Sequence, residues 1–108
     1  MRKALISLGA CACVCSGGCA MVAGEAAGEK VYNSACVACH STGAAGAPKV
    51  GDKESWRPRA GEGLEALVNN AINGKRSMPA RGGNPGLTDE EIKQAVRYML
   101  ARTGISAD

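Results

Sequence analysis

Cys36-Val37-Ala38-Cys39-His40 places two thiols and an imidazole within five consecutive residues. Residues three and four apart are neighbours on a helix surface, so all three groups can share one face of a single turn. Three chemistries use such a set: a dithiol redox pair, half of a zinc site, or the C-x-x-C-H attachment of a c-type haem. A dithiol motif belongs in a strand–helix–strand unit, and no strand pattern of useful length occurs here. Structural zinc takes four ligands, but His40 is the sole histidine and cleavage of the expected N-terminal signal leaves no cysteine beyond Cys36 and Cys39. Haem attachment fits the residues best. Each thiol adds across one vinyl group, and the adjoining imidazole is brought under the iron as proximal ligand.

A second axial ligand must then come from elsewhere, and a second histidine does not exist. The methionines are Met1, Met21, Met78 and Met99. The first two belong to the N-terminal segment or its edge. Met99 falls on an apolar helical stripe, where core filling accounts for it. Met78 sits in a polar loop directly before Pro79, which confines its backbone to extended conformations. A thioether is a usual partner of histidine in electron-carrying haems, so Met78 is the expected sixth ligand. Without a haem it would be a surface methionine.

The N-terminus reads as an export signal over residues 1–20. Arg2 and Lys3 form its positive start, Ala4 to Val14 its apolar stretch, and Gly18 and Ala20 the small residues before cleavage. This places the mature protein in the periplasm, with residues 21–27 as a linker. Two other outcomes are open. The uncharged run Ala4 to Gly24 approaches the ~20 residues that span a bilayer, so a retained N-terminus would be an anchor. Leu8-Gly9-Ala10-Cys11 and Ser16-Gly17-Gly18-Cys19 resemble lipidation sites. Contact with a membrane is expected only in those two cases. Cleavage removes Cys11, Cys13, Cys15 and Cys19, leaving Cys36 and Cys39, too few for a disulfide framework.

Of thirteen Lys and Arg, eleven remain after Arg2 and Lys3 leave, against ten Asp and Glu. That balance argues against a nucleic-acid partner. With no Phe, one Trp and two Tyr, the chain has few large side chains for a core. Domains this small usually need a staple such as a cofactor.

The elements that must position the motif are helical. The first runs from about Ala26 into Cys36, with Gly28 and Tyr32 on one face and Val31 and Ala35 beside them. The second, roughly Gly63 to Asn73, repeats Leu64, Leu67, Val68, Ala71 and Ile72 as an amphipathic stripe before Gly74. The third opens on a capping box, Thr88 with Glu91, and carries Ile92, Ala95, Val96, Met99 and Leu100 towards Thr103-Gly104. Between them lie two long loops, Ser41 to Lys53 and Met78 to Gly86, rich in Gly and Pro. Such loops are unusual unless they perform a function, and here they are expected to wrap the cofactor. The expected fold is all-α, three or more helices around one haem, with the domain over 28–103 and a tail over 104–108.

The ordered set Gly28-x-x-x-Tyr32, the haem motif followed by Ser41 to Pro48, Trp56-Arg57-Pro58-Arg59, Asn73-Gly74-Lys75, Met78-Pro79 and the last helix resembles class I monohaem cytochromes c. The similarity is specifically to the bacterial cytochrome c5 family. It implies that the Pro48 carbonyl accepts the His40 Nδ1 proton and that Trp56 and Arg59 hydrogen-bond a haem propionate. It also implies that Gly28 and Tyr32 pack on the last helix near Tyr98. Some members close the loop after Met-Pro with a disulfide, whereas Arg81 to Gly86 contains no cysteine. The implied activity is electron transfer between redox partner proteins by a monomer or weak dimer, with no catalytic residues. The alternative is an open haem site that binds small ligands or acts on peroxide, should Met78 not ligate. Lys75, Arg76 and Arg81 flank Met78 and would form a positive rim around it, or be ordinary solvated loop charges.

Overall fold

The computed structural model describes residues 25–106, so the expected signal over 1–20 and its cysteines lie outside the described residues. Four helices make up the fold: α1 over 25–40, α2 Lys53–Ala60, α3 Leu64–Asn73 and α4 Asp89–Thr103. No strand occurs among the described residues. Helix α1 is present from residue 25, beside the expected start near Ala26, and continues past Cys36 through His40.

The longest helix is also the best specified. Glu91 N–H donates to Thr88 Oγ1 at 3.1 Å, and Thr88 N–H donates to Glu91 Oε1 at 2.9 Å. Asp89, Glu90 and Glu91 fill the first turn, where the helix dipole favours negative charge. Gly104, at φ 80°, supplies the left-handed residue that ends it. Its stripe of Ile92, Ala95, Val96, Met99 and Leu100 is buried against Leu64, Leu67, Val68 and Ala71 of α3 and Val31 and Tyr32 of α1. Each large apolar side chain so buried contributes about 1.5–3 kcal/mol.

Where α1 meets α4, backbone approaches backbone. A Cβ on Gly28 would lie 2.5 Å from the Gln94 carbonyl oxygen and 2.9 Å from Tyr98 Cβ. One turn on, the Tyr32 and Tyr98 rings stand 5.4 Å apart at 46°. Between Tyr32 and Cys36 the helix widens to a π turn, with Val37 N–H donating to the Tyr32 carbonyl. The residue so accommodated shifts the phase of everything after it by about 100° relative to a plain α-helix. That shift sets how Cys36 to His40 are presented once Gly28 and Tyr32 have docked.

Helix α2 has no amphipathic signature. Trp56 is its one buried residue, and Pro58 removes an interior N–H at a cost of about 3 kcal/mol. Asp52 starts it: one carboxylate oxygen accepts from Ser55 N–H at 3.3 Å, the other from Ser55 Oγ at 3.0 Å. Those bonds hold the Asp52 carboxyl below its ordinary range. An Asp followed by Ser three residues on was the legible signal for this helix.

The loop after Pro79 is fastened by Arg81. Its Nη1 donates to the Leu87 carbonyl at 2.9 Å, and its Nη2 pairs with Asp89 Oδ1 at 2.7 Å. Left-handed backbone at Arg81 and Gly82, φ 55° and 62°, turns the chain so that this guanidinium meets the start of α4. Arg81 is therefore a half-buried clamp between this loop and α4, so its charge is partly neutralised by Asp89.

Two predictions follow the packing. Gly28→Ala should cost about 1–3 kcal/mol in urea unfolding, because the obstacle is backbone that cannot rotate aside; a cost near zero would show that α1 and α4 separate easily. The Arg81 bonds should prove unequal. Asp89 is 71% exposed, so Asp89→Asn should lose under ~1 kcal/mol. Arg81→Gln also removes a charge-assisted bond to a carbonyl and should lose about 1.5–3 kcal/mol in the same measurement.

Candidate haem site

Residues 48–51 form a strap in which each residue makes a directed bond. His40 Nδ1 lies 2.8 Å from the Pro48 carbonyl. The Lys49 carbonyl accepts the Trp56 indole N–H at 2.8 Å. Val50 N–H donates to the His40 carbonyl at 2.8 Å, and Gly51 N–H donates to Thr103 Oγ1 at 2.9 Å. A carbonyl only accepts, so His40 carries its proton on Nδ1 and keeps the Nε2 lone pair for a metal. His40 is 7% exposed and closes α1, and its ring stacks beside Trp56 with centroids 5.7 Å apart. Main chain and ring are thus held separately.

Cys36 and Cys39 are unbridged, partly buried and one turn apart on α1, immediately before that histidine. Burial pushes the Cys36 thiol up to about 11, so it is uncharged at neutral pH. Reactive dithiols and zinc thiolates need the opposite shift. No group of three or more His, Cys, Asp or Glu able to hold a metal ion occurs among the described residues. Two unbridged thiols, one of them kept protonated by burial, beside an imidazole whose Nδ1 is engaged by a carbonyl fit a covalently attached haem.

Met78 approaches from the other loop. Its N–H donates to the Lys75 carbonyl at 2.9 Å and its carbonyl accepts the Lys75 N–H at 3.0 Å, a tight turn with Arg76 left-handed at φ 55°. Gly74 underlies it: a Cβ there would come within 3.0 Å of the Met78 carbonyl and the Ala80 nitrogen. Farther along, a Cβ on Gly82 would strike the Ala35 carbonyl at 2.7 Å. The loop bearing Met78 is therefore seated on the helix bearing Cys36, and the Met78 side chain packs half-buried against the core.

The remaining residues are placed with their own bonds. The indole proton of Trp56 is engaged by Lys49, so a propionate would have to compete for it. Arg59 is half-buried and donates one N–H to the Ser55 carbonyl at 2.6 Å; a guanidinium has five such donors. Lys49 and Thr103 were not legible as parts of this site. One acts through a backbone oxygen, and the other lies at the far end of the chain.

Residues 23–99 match the family model described as cytochrome c oxidase, cbb3-type, subunit III. The chain is 48% identical to cytochrome c-555 of Chlorobaculum thiosulfatiphilum over 82 residues, 72% of this chain and 95% of that one. It is 38% identical to cytochrome c5 of Azotobacter vinelandii, covering 70% and 94%. Among solved structures, a chain in an electron-transfer complex of nitrite reductase with cytochrome c matches at 45% identity and TM-score 0.68, over 71% of this chain and 94% of that one. A mono-haem ferrocytochrome c from Shewanella putrefaciens matches at 42% identity and TM-score 0.61, over 67% and 89%. With these likenesses along nearly the whole described chain, and a C-x-x-C-H turn within the matched residues, this protein belongs to the class I monohaem cytochromes c, electron carriers with a covalent haem and not enzymes.

Proposed function

We propose that this cytochrome is an exported carrier that shuttles single electrons through one haem, attached at Cys36 and Cys39 and ligated axially by His40 and Met78. The observation that carries the reading is the 2.8 Å contact of His40 Nδ1 with the Pro48 carbonyl, which orients the imidazole and fixes its tautomer. When bound, the haem supplies a one-electron Fe(II)/Fe(III) couple. The chain's residues determine the rest. By accepting the Nδ1 proton, Pro48 orients the His40 ring and makes it a stronger donor to a metal. The turn at Lys75–Met78 holds the thioether's backbone so that the sixth position is filled by protein. Arg59, with donors to spare, is the propionate partner we favour, and Trp56 contributes mainly by packing against His40.

Export is supported by the pattern of residues 1–20, and no helix among the described residues is long and apolar enough to cross a membrane. Partners are redox proteins, and nitrite reductase, the partner in a similar cytochrome's complex, indicates the class. With Arg81 half-buried and paired to Asp89, the fully exposed cations beside Met78 are Lys75 and Arg76. They suit an acidic partner surface.

Denatured protein should keep its haem through acid-organic extraction, and the double variant Cys36→Ala with Cys39→Ala should release it. Met78→Ala should open the site, lower the potential and admit carbon monoxide, because a soft neutral thioether favours Fe(II). An unchanged low-spin spectrum and potential in that variant would assign the iron to another group. Lys75→Glu with Arg76→Glu should slow association with an acidic redox partner roughly tenfold at low salt. The difference should shrink as the screening length falls below ~10 Å above 0.1 M. A rate indifferent to both changes would place docking elsewhere.

A further inference from the structure

Thr103 is the last residue of α4 and 3% exposed, yet its hydroxyl makes two bonds. It donates to the Met99 carbonyl at 2.8 Å, one turn back, and accepts Gly51 N–H at 2.9 Å from the strap. The first bond orients the hydroxyl, so that its lone pairs face the Gly51 amide. Helix α4 is the most strongly capped and most deeply packed element, so Thr103 ties the strap to the least mobile part of the fold. The tied residue is three along from Pro48, whose carbonyl meets His40.

We propose that Thr103 is a positioning residue for the axial histidine: by holding Gly51 it keeps the Pro48 carbonyl on His40 Nδ1 and so tunes the iron's potential. This rests on His40 being the iron ligand. A firm Nδ1–H···O=C bond makes the imidazole a stronger donor, which favours Fe(III). Slackening it weakens that donation and shifts the balance towards Fe(II). Losing the Met78 bond would move the potential the opposite way, so the sign separates the two sides of the site.

The test uses the holoprotein with Thr103→Val, which keeps the shape and removes the hydroxyl, and Thr103→Ser, which keeps the hydroxyl. In the valine variant the Fe(II):Fe(III) equilibrium should shift about threefold towards Fe(II), roughly half of the 59 mV that a tenfold change represents for one electron. The His40 ring N–H should exchange with solvent about tenfold faster by NMR, as expected where a local bond is weakened by about 1.4 kcal/mol. Serine should restore both. Valine with the parent potential and exchange rate overturns the proposal. So does serine that shifts both readouts as far as valine does, since packing of the methyl would then be responsible. Should valine fail to fold, Thr103→Ala, which also removes the hydroxyl, takes its place beside serine on the same readouts, with the same outcomes supporting or overturning the proposal. Absence of iron-bound imidazole resonances in the unsubstituted holoprotein would instead refute ligation by His40.

Discussion

The fold depends on holding a single imidazole in one orientation. His40 is the only histidine in the chain, and its ring bond to Pro48 decides which nitrogen keeps a lone pair. That bond is only as firm as the strap that carries the carbonyl. The strap is secured at Lys49 by Trp56, at Val50 by the His40 main chain, and at Gly51 by Thr103. Every buried side-chain nitrogen and oxygen among the described residues has a partner. In a low-dielectric interior such a connected set resists displacement, because moving one member strands another.

The two loops that approach the site also hold the backbone strain. Ala45, Arg76 and Arg81 are the non-glycine residues at positive φ among those described, one before the strap and two around Met78. Each costs on the order of 1–2 kcal/mol relative to an ordinary conformation. They persist because neighbouring contacts leave no alternative: the Lys75–Met78 turn at Arg76, and the guanidinium clamp at Arg81. Strain set around a ligand position is the expected mark of a preorganised site. The strained positions lie in the two loops that carry Pro48 and Met78, each held by neighbouring bonds.

The helices serve this arrangement unequally. Helices α3 and α4 form a conventional apolar pair, while α1 contributes few buried side chains and much geometry. Close contact at Gly28, the widened turn at Tyr32–Cys36 and contact at Gly82 fix its position along and around its axis. Helix α2 delivers Trp56 against His40, and its Asp52 cap offsets part of the cost of the proline within it.

Much was legible in the residues themselves. C-x-x-C-H admits few chemistries because reach and spacing are covalent constraints, and the stripes of α3 and α4 follow from helical period alone. The Thr88–Glu91 box announces its helix because both partners are local in sequence. What the chain could not display were bonds between distant segments. The role of Arg81 depended on a left-handed turn that no residue type demands, so it read as a surface charge until Leu87 and Asp89 were seen beside it. Thr103 and Gly51 stand 52 positions apart, and a backbone amide has no signature in sequence. The π turn at Tyr32–Cys36 likewise has no marker in the residues that form it. Local spacing determined which atoms could hold a haem, and tertiary packing decided what holds those atoms still.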